Sequence, residues 1–341
     1  MLTTPVPAAI TTIGSMPGTD VREAVRMVVD TSGDGDGVPH LPELPARGPG
    51  ADLVGRTMGV LARVSPDLAV ETTPSGWRFA DAPGRETRRA LSWLGEDLDA
   101  WEESLPGFES TVAASLGGPW TLAAAVELRT GERAVKDAGA CRDIVDALAQ
   151  AAVDHLAELR RRVPGAPVTL WLDEPALPAV LHGEVPTASG LSRYAAVDEQ
   201  VVSAALMRIV DAVHAAEAAL VLHCCGPRPP YDLFRRTGAD AVSSDLLLHD
   251  RRDDDAVGEL LEAGRRLVCG VVPTVSPLSP VAVSVDLVRT LGHRLGLTPE
   301  ALAPQVLVSP TCGFGASSPD HVRSALGALR SVGRGLREGG A

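Results

Sequence analysis

The sequence has few aromatic residues, few cysteines and no basic cluster. Phe, Trp and Tyr make up only 3% of the 341 residues, so a core must be built mainly from Ala, Val and Leu. The net charge of −13 and the lack of a Lys/Arg cluster argue against a surface that follows a phosphate backbone. We therefore expect no nucleic-acid partner.

Long apolar runs and paired cysteines are missing as well. No stretch approaches the roughly 20 uninterrupted apolar residues of a membrane helix. The N-terminal MLTTPVPAAITTIG has neither a basic segment nor a long apolar one, so we expect no signal peptide. Five cysteines, an odd number, do not resemble a disulfide framework. We expect no membrane partner and a cytoplasmic location, where a group of Cys and His residues is more often metal-binding or catalytic than cross-linked.

Short apolar segments alternate with longer amphipathic ones along the chain. Near-continuously apolar strands separated by helices predict a parallel sheet covered by helices, and eight such units predict a single (β/α)8 TIM barrel of the α/β class. The predicted helices include 20–30, 134–163, 198–218 and 318–336, and the predicted strands are 8–15, 39–45, 111–117, 168–174, 219–225, 239–245, 266–272 and 304–310.

One interval, between the second and third predicted strands, is too long for a single helix. It contains the helical pattern ADLVGRTMGVLARV (51–64) and the polar ETTPSGWRFADAPGRE (71–86), which predicts a hairpin. This insertion is either a lid over the barrel mouth or a surface hairpin without that role. Because no Pro/Ser-rich linker and no internal repeat divides the chain, we expect one catalytic domain over residues 1–341.

Polar residues stand at the ends of the predicted apolar strands. In barrels of this kind, the reacting groups come from the C-terminal ends of the strands and the loops that follow. These positions are therefore the candidates for function: Ser15, Glu43, Asp173, Glu174, His223, Cys225, Asp245 and Cys312.

The stretch LHCCG (222–226) has the spacing of a metal site. Residues two apart in a strand share a face, so His223 and Cys225 point the same way while Cys224 packs on the other side. One nitrogen and two sulfurs, with Cys312 as the second sulfur, suit Zn²⁺, and Asp245 is the nearest carboxylate by topology. Buried structural cysteines are the alternative.

Five segments carry a resemblance to a known family: ITTIGSMPGTD, GGPWTL, LWLDEPAL, HCCG and VSPTCGFG. In this order they resemble the catalytic C-terminal half of cobalamin-independent methionine synthase, one of a superfamily of (β/α)8 barrels that includes uroporphyrinogen decarboxylase. The resemblance implies that His223, Cys225 and Cys312 bind Zn²⁺ and that Asp245 replaces the family's glutamate as the fourth ligand.

The same resemblance implies a substrate pocket. Ile13, Gly14 and Ser15 match the segment that holds the amino acid's carboxylate, and Glu43 and Asp173 match the carboxylates that hold its ammonium group. The alternative for Asp173 and its neighbour Glu174 is a helix N-cap. The implied reaction transfers a methyl group to the thiol of homocysteine and forms methionine, and no residue is assigned as a catalytic acid or base.

Two departures from the family bear on the methyl donor. The family's N-terminal barrel, which helps to hold the folate, has no counterpart in this sequence, and Val275 stands where the family has a histidine implicated in proton handling. A cob(I)alamin leaving group needs no proton, whereas a folate leaving group does. We therefore expect a methyl-corrinoid protein rather than 5-methyltetrahydrofolate as the donor.

Two other functions fit the same ligands. One is a zinc-dependent alkyltransferase that acts on a thiol of the coenzyme M type. That thiol carries a sulfonate and no ammonium, so it would favour basic residues where Glu43 and Asp173 stand. The other is a zinc- or thiol-binding barrel without catalytic activity, which would bind both without transferring a methyl group.

Overall fold

The computed structural model of the protein describes residues 7–32 and 37–338. Residues 1–6, on which the prediction of no signal peptide partly depends, lie outside the described residues. Strands and helices alternate along the described chain. The strands are β1 (Ala9–Thr11), β2 (Gly37–Val38), β3 (Val70–Thr73), β4 (Gly76–Phe79), β5 (Val112–Gly117), β6 (Val126–Glu127), β7 (Val168–Asp173), β8 (Ala219–Cys224), β9 (Ala241–Asp245), β10 (Arg266–Val272) and β11 (Val306–Pro310).

The α-helices are α1 (Val21–Ser32), α2 (Leu53–Val64), α3 (Arg85–Ser104), α4 (Pro119–Ala125), α5 (Ala138–Arg162), α6 (Leu177–Leu181), α7 (Glu199–Ala215), α8 (Tyr231–Thr237), α9 (Asp254–Glu262), α10 (Val281–Arg294), α11 (Pro299–Leu302) and α12 (Pro319–Glu338). Aspartate side chains cap several N-termini, as expected for a residue that accepts from the first free N–H groups. Asp52, Asp137 and Asp198 cap α2, α5 and α7 in this way.

Eight of the strands form one parallel sheet, in the order β2-β1-β11-β10-β9-β8-β7-β5. The two ends of this sheet meet through a parallel bridge between His40 and Ala113, where Leu41 N–H donates to Ala113 O at 2.7 Å and Ala113 N–H donates to Pro39 O at 2.8 Å. With helices around the sheet, this confirms the predicted (β/α)8 barrel.

The second barrel strand differs from its predicted position at 39–45. Its regular part is only β2, and downstream of it single bridges remain at His40 and Glu43. The physical reason is proline: Pro39, Pro42 and Pro45 have no N–H to donate and interrupt a ladder. The segment nevertheless keeps its place, because Ser15 and Glu43 pair in parallel.

The interior of the barrel is filled by side chains. A cluster of buried residues contains members from all eight barrel strands or the residues just after them: Ala9, Ile13, Val38, Ala113, Trp171, Val221, Ala241, Val268 and Leu307. Trp171 is the largest of them, and the ring of His40 packs against it edge-on at 5.4 Å between centroids. The polar residues at the C-terminal strand ends therefore lie above a packed plug.

The insertion between the second and third barrel strands contains α2, a hairpin and α3. The hairpin pairs β3 with β4 in antiparallel fashion, and β6 extends it to three strands. Its Trp77 is buried and donates from Nε1 to Asp52 Oδ1 at 3.1 Å, so the hairpin packs on α2. None of the described helices combines the length and the apolar character needed to cross a bilayer.

Candidate metal centre and substrate pocket

Three predicted ligands come together at the C-terminal end of the barrel. His223 is in β8, Cys225 follows that strand, and Cys312 follows β11. One ligand atom from each lies within 4.8 Å of the other two, and the two sulfur atoms are 3.1 Å apart. Cys224 is fully buried, as expected for a residue on the opposite face of the strand.

The ring of His223 is oriented by a neighbouring strand. Its Nδ1 lies 2.9 Å from the hydroxyl of Ser243 in β9, so the Nδ1–H tautomer can donate to that oxygen. In that tautomer Nε2 is an acceptor. Nε2 is buried and has no hydrogen-bond partner among the described residues. A buried imidazole nitrogen without a partner, beside two sulfurs, fits a zinc ligand.

The thiols of Cys225 and Cys312 are close enough to affect each other's ionisation. The contact with Cys225 lowers the pKa of the Cys312 thiol, while the contact with Cys312 raises the pKa of the Cys225 thiol. The proximity of the two sulfurs therefore favours loss of one proton from the pair. A thiolate is the form that binds a metal.

The fourth expected ligand, Asp245, is not among the three clustered residues. Its Oδ1 accepts the Leu247 N–H at 2.9 Å and so begins the 3-10 turn Leu246–Leu248. Burial raises the pKa of its carboxyl to about 6. Its role as a metal ligand remains a prediction.

All five predicted substrate residues line one cavity together with the three clustered ligands. The cavity has a volume of about 190 Å³, and its lining includes Ile13, Gly14, Ser15, Glu43 and Asp173. Its size suits a small amino acid, because pockets for drug-sized ligands start near ~300 Å³. Of the described insertion residues only Leu53 lines the cavity, so the hairpin does not act as its lid here.

The carboxyl groups of Glu43 and Asp173 both line this cavity, and the charge of Glu43 raises the pKa of Asp173. Glu43 is 4% exposed and accepts from the Ser115 hydroxyl at 3.2 Å, and burial raises the pKa of its carboxyl. Burial also raises the pKa of Asp173 to about 7. Asp173 Oδ1 is buried without a hydrogen-bond partner among the described residues. A cationic group that reached both carboxyls would compensate their burial.

The next residue, Glu174, caps the N-terminus of α4. Its carboxylate accepts the Trp120 N–H at 3.0 Å, and both the N–H and the hydroxyl of Thr121 at 2.7 Å, at the start of α4. The helix that follows, α6, has Ala176 at its N-cap position and no side-chain cap. The alternative of a helix N-cap therefore holds for Glu174, but the helix it caps is α4, and neither Asp173 nor Glu174 caps the helix that follows them.

Two supporting hydroxyls, those of Ser115 and Ser243, are not among the residues predicted from the sequence. Strand periodicity could have found both. Ser243 lies two residues before Asp245 and so shares its face, and Ser115 lies two residues before the end of β5. Their partners could not be read from the same pattern, since each lies on another strand.

The fold and the clustered side chains define a class of protein: a (β/α)8 barrel with a candidate metal centre at its C-terminal mouth. The chain belongs to the family described as the catalytic domain of cobalamin-independent synthase, whose model matches residues 8–334. This confirms the family suggested by the motifs, and it supports a methionine-synthase-like activity, that of a methyltransferase.

Solved structures share the fold at low sequence identity. One is a B12-independent methionine synthase from Shewanella sp. W3-18-1 in complex with selenomethionine, with 13% identity, a TM-score of 0.60 and coverage of 98% of both chains. Another is GH5_18 from Streptomyces cattleya in complex with GlcNAc, with 12% identity, a TM-score of 0.50 and coverage of 98% of this chain and 80% of that one. No curated protein matches the sequence closely enough to serve as a relative.

Proposed function

We propose that the protein transfers a methyl group to the thiol of homocysteine and forms methionine. The observation that carries this proposal is the cavity in which a His/Cys cluster and two buried carboxyl groups lie together. One side of it suits a metal that binds sulfur, and the other suits an ammonium group. Homocysteine offers both a thiol and an ammonium group.

His223, Cys225 and Cys312 would hold Zn²⁺, with Asp245 as the proposed fourth ligand. The Nε2 of His223, which has no hydrogen-bond partner in the part of the chain that the structure describes, and the lowered pKa of Cys312 support this assignment. When bound, zinc lowers the pKa of a thiol and keeps its sulfur nucleophilic at neutral pH. A free thiol with a pKa of ~8.5 is mostly protonated at that pH and is therefore a poor nucleophile.

Glu43 and Asp173 would bind the substrate ammonium, and Ile13, Gly14 and Ser15 its carboxylate. Gly14 has a φ of +37° and the Ser15 hydroxyl accepts the Gly315 N–H at 3.2 Å, so this turn is held close to the cavity. Such orientation of a substrate is worth several kcal/mol of barrier. A sulfonate thiol would meet two carboxylates here, which disfavours the coenzyme M type of substrate.

The proposed donor is a methyl-corrinoid. Val275, in the loop after β10, is 68% exposed and supplies no proton. A donor whose leaving group needs no proton, such as a methyl-corrinoid that leaves as cob(I)alamin, is compatible with a valine at this position. The bound selenomethionine of the Shewanella protein supports an amino-acid product but does not bear on the donor.

The first test supplies homocysteine with either methylcobalamin or 5-methyltetrahydrofolate and measures methionine. We expect one zinc per chain and turnover with the corrinoid. We expect Cys312→Ser to lower both zinc content and turnover, the latter by ~100-fold or more.

Two outcomes would contradict the proposal in different ways. Turnover with the folate alone would overturn the donor and leave the reaction standing. Binding of zinc and homocysteine without methionine formation from either donor would instead favour the non-catalytic barrel.

A further inference from the structure

One apolar side chain of the insertion reaches the substrate pocket. Leu53, the first residue of α2, lines the cavity of about 190 Å³ together with Glu43 and Asp173. The other lining residues belong to the barrel strands or to the segments that follow them. The insertion therefore adds to the pocket a wall that the strand ends do not supply.

Leu53 lies on the side of the pocket where the ammonium group is expected. A Cβ at Gly117 would lie 3.5 Å from Leu53 Cγ, so Leu53 packs over the end of β5. Gly117 is paired with Asp173 in the ladder between β5 and β7, and Gly118 N–H donates to Asp173 O at 2.8 Å. Neither β8 nor β11, which precede the two clustered cysteines, is a neighbour of β5. Leu53 is thus beside the carboxyl proposed for the ammonium group and not at the sulfur end.

The start of α2 is held in place from two sides. Asp52 Oδ1 caps the helix and also accepts the Trp77 Nε1–H of the hairpin at 3.1 Å. One turn further on, Thr57 accepts the Gly117 N–H at 2.8 Å. Leu53 lies between these two contacts, so its backbone cannot move away from the pocket without breaking one of them.

A buried ion-pair group fixes the same helix to the segment that carries Glu43. Asp97 of α3 accepts from Arg56 of α2 at 2.5 Å and from Arg47 at 2.8 Å, and all three side chains are less than one tenth exposed. Arg47 ends the 3-10 turn that follows Glu43. Because breaking a buried ion pair is strongly destabilising, the position of Leu53 relative to the pocket is firmly set.

We propose that Leu53 is a specificity-determining residue: it fills the space beside the ammonium group, so that the pocket accepts α-amino acids with a free primary ammonium group and rejects N-substituted ones, including a thiol-bearing residue within a peptide. This inference rests on the proposed function and deepens it. The reason is steric, since a side chain held in a closely packed wall does not yield to an added carbon without cost.

The test measures binding of three ligands to the purified full chain by calorimetry. They are L-methionine, N-methyl-L-methionine, which adds one carbon at the nitrogen, and L-ethionine, which adds one carbon at the sulfur end. Leu53→Ala opens the space beside the nitrogen, and Leu53→Val opens part of it. Val54→Ala is the matched control, because Val54 is the next residue of α2, packs on the core and is not part of the cavity lining.

We expect the unmodified protein to bind N-methyl-L-methionine about tenfold or more weakly than L-methionine, the usual effect of one extra carbon in a filled pocket. Leu53→Ala should reduce this ratio to less than about threefold, and Leu53→Val should give an intermediate ratio. The ratio of L-ethionine to L-methionine should stay within about twofold in every variant, and Val54→Ala should leave both ratios unchanged.

Four results would overturn this role. They are equal binding of L-methionine and N-methyl-L-methionine by the unmodified protein, an unchanged ratio in Leu53→Ala, equal changes in the two ratios, and the same effect in Val54→Ala. In each of these cases the protein still binds L-methionine, and the proposed function stands. If the unmodified protein bound no L-methionine, the amino-acid pocket itself would fail, and the proposed function would fail with it.

Discussion

At the scale of single residues, Ser243 and Ser244 show how one strand serves two purposes. They are neighbours in β9, and alternation sends their hydroxyl groups to opposite faces. Ser243 lies 2.9 Å from His223 Nδ1, whereas Ser244 lies 2.7 Å from the Tyr231 hydroxyl. Only the first of these contacts orients a candidate metal ligand.

We therefore expect Ser243→Ala to weaken zinc binding about 10- to 100-fold, the range typical when the partner of a metal-binding histidine is removed. The measurement is a competition titration with a chelator of known affinity. Ser244→Ala is the matched control, since it removes the same hydroxyl from the other face. Equal zinc affinity in the two variants would show that the Ser243 contact does not hold the histidine in its binding orientation.

Glu174 is the second residue whose role can be isolated. Its carboxylate accepts three donors at the start of α4, and an amide in its place offers only one accepting atom. Glu174→Gln should therefore lower the free energy of unfolding, by about 1–3 kcal/mol for a buried donor left without an acceptor.

The pH dependence of this loss has a definite sign. Burial raises the pKa of Glu174 to about 7 in the folded chain, above the ordinary value of 4.5. The folded chain thus favours the protonated form, and that contribution to stability is lost as pH rises from about 4.5 to about 7. Glutamine does not titrate, so the deficit of the variant measured by urea unfolding should be larger at pH 5 than at pH 8. A larger deficit at pH 8 would contradict the raised pKa.

At the scale of elements, α2 packs so closely against its neighbours that glycine is required on one face. A Cβ at Gly55 would lie 2.3 Å from the ring of Trp77 and 2.8 Å from the backbone of Gly50, and a Cβ at Gly59 would lie 2.7 Å from that of Ala90. At Gly95 in α3, in contrast, such a Cβ would meet no described atom within 4 Å apart from its chain neighbours and its own helix backbone.

These surroundings predict opposite effects for the same substitution. Gly55→Ala should destabilise the protein by about 1–3 kcal/mol through overpacking against the hairpin. Gly95→Ala should stabilise it by about 0.5–1 kcal/mol, because alanine loses less backbone freedom in an open helical position. Thermal unfolding of the two variants checks the pair. Destabilisation by both would mean that α3 also has a close neighbour at Gly95.

At the scale of the whole molecule, the barrel separates packing from chemistry. The plug around Trp171 fills the interior, and the candidate site occupies the C-terminal end above it. The proline-interrupted second strand closes the barrel onto β5 through a single bridge, His40–Ala113, rather than a continuous ladder. That same segment carries Glu43, so one of the two buried carboxyl groups lies where the sheet is joined by single bridges.

Strand periodicity and chain order predicted much of this architecture. The alternation of apolar strands and amphipathic helices was enough for the barrel, because the period of each element is a local property of its residues. The spacing of His223 and Cys225 predicted a shared face for the same reason. The bounds of the second strand were wrong because its prolines act on individual hydrogen bonds that a pattern of apolar residues does not report.

By itself, then, the sequence determined the fold class and the set of polar strand ends that meet at one mouth, since parallel strands all end on the same side of a barrel. Only the tertiary structure decided which partner each of them has. Ser115 reaches Glu43 across 72 residues of chain, Glu174 caps a helix 53 residues away, and Asp97 holds Arg56 41 residues away. Such contacts depend on how whole elements pack, and no local pattern records that packing.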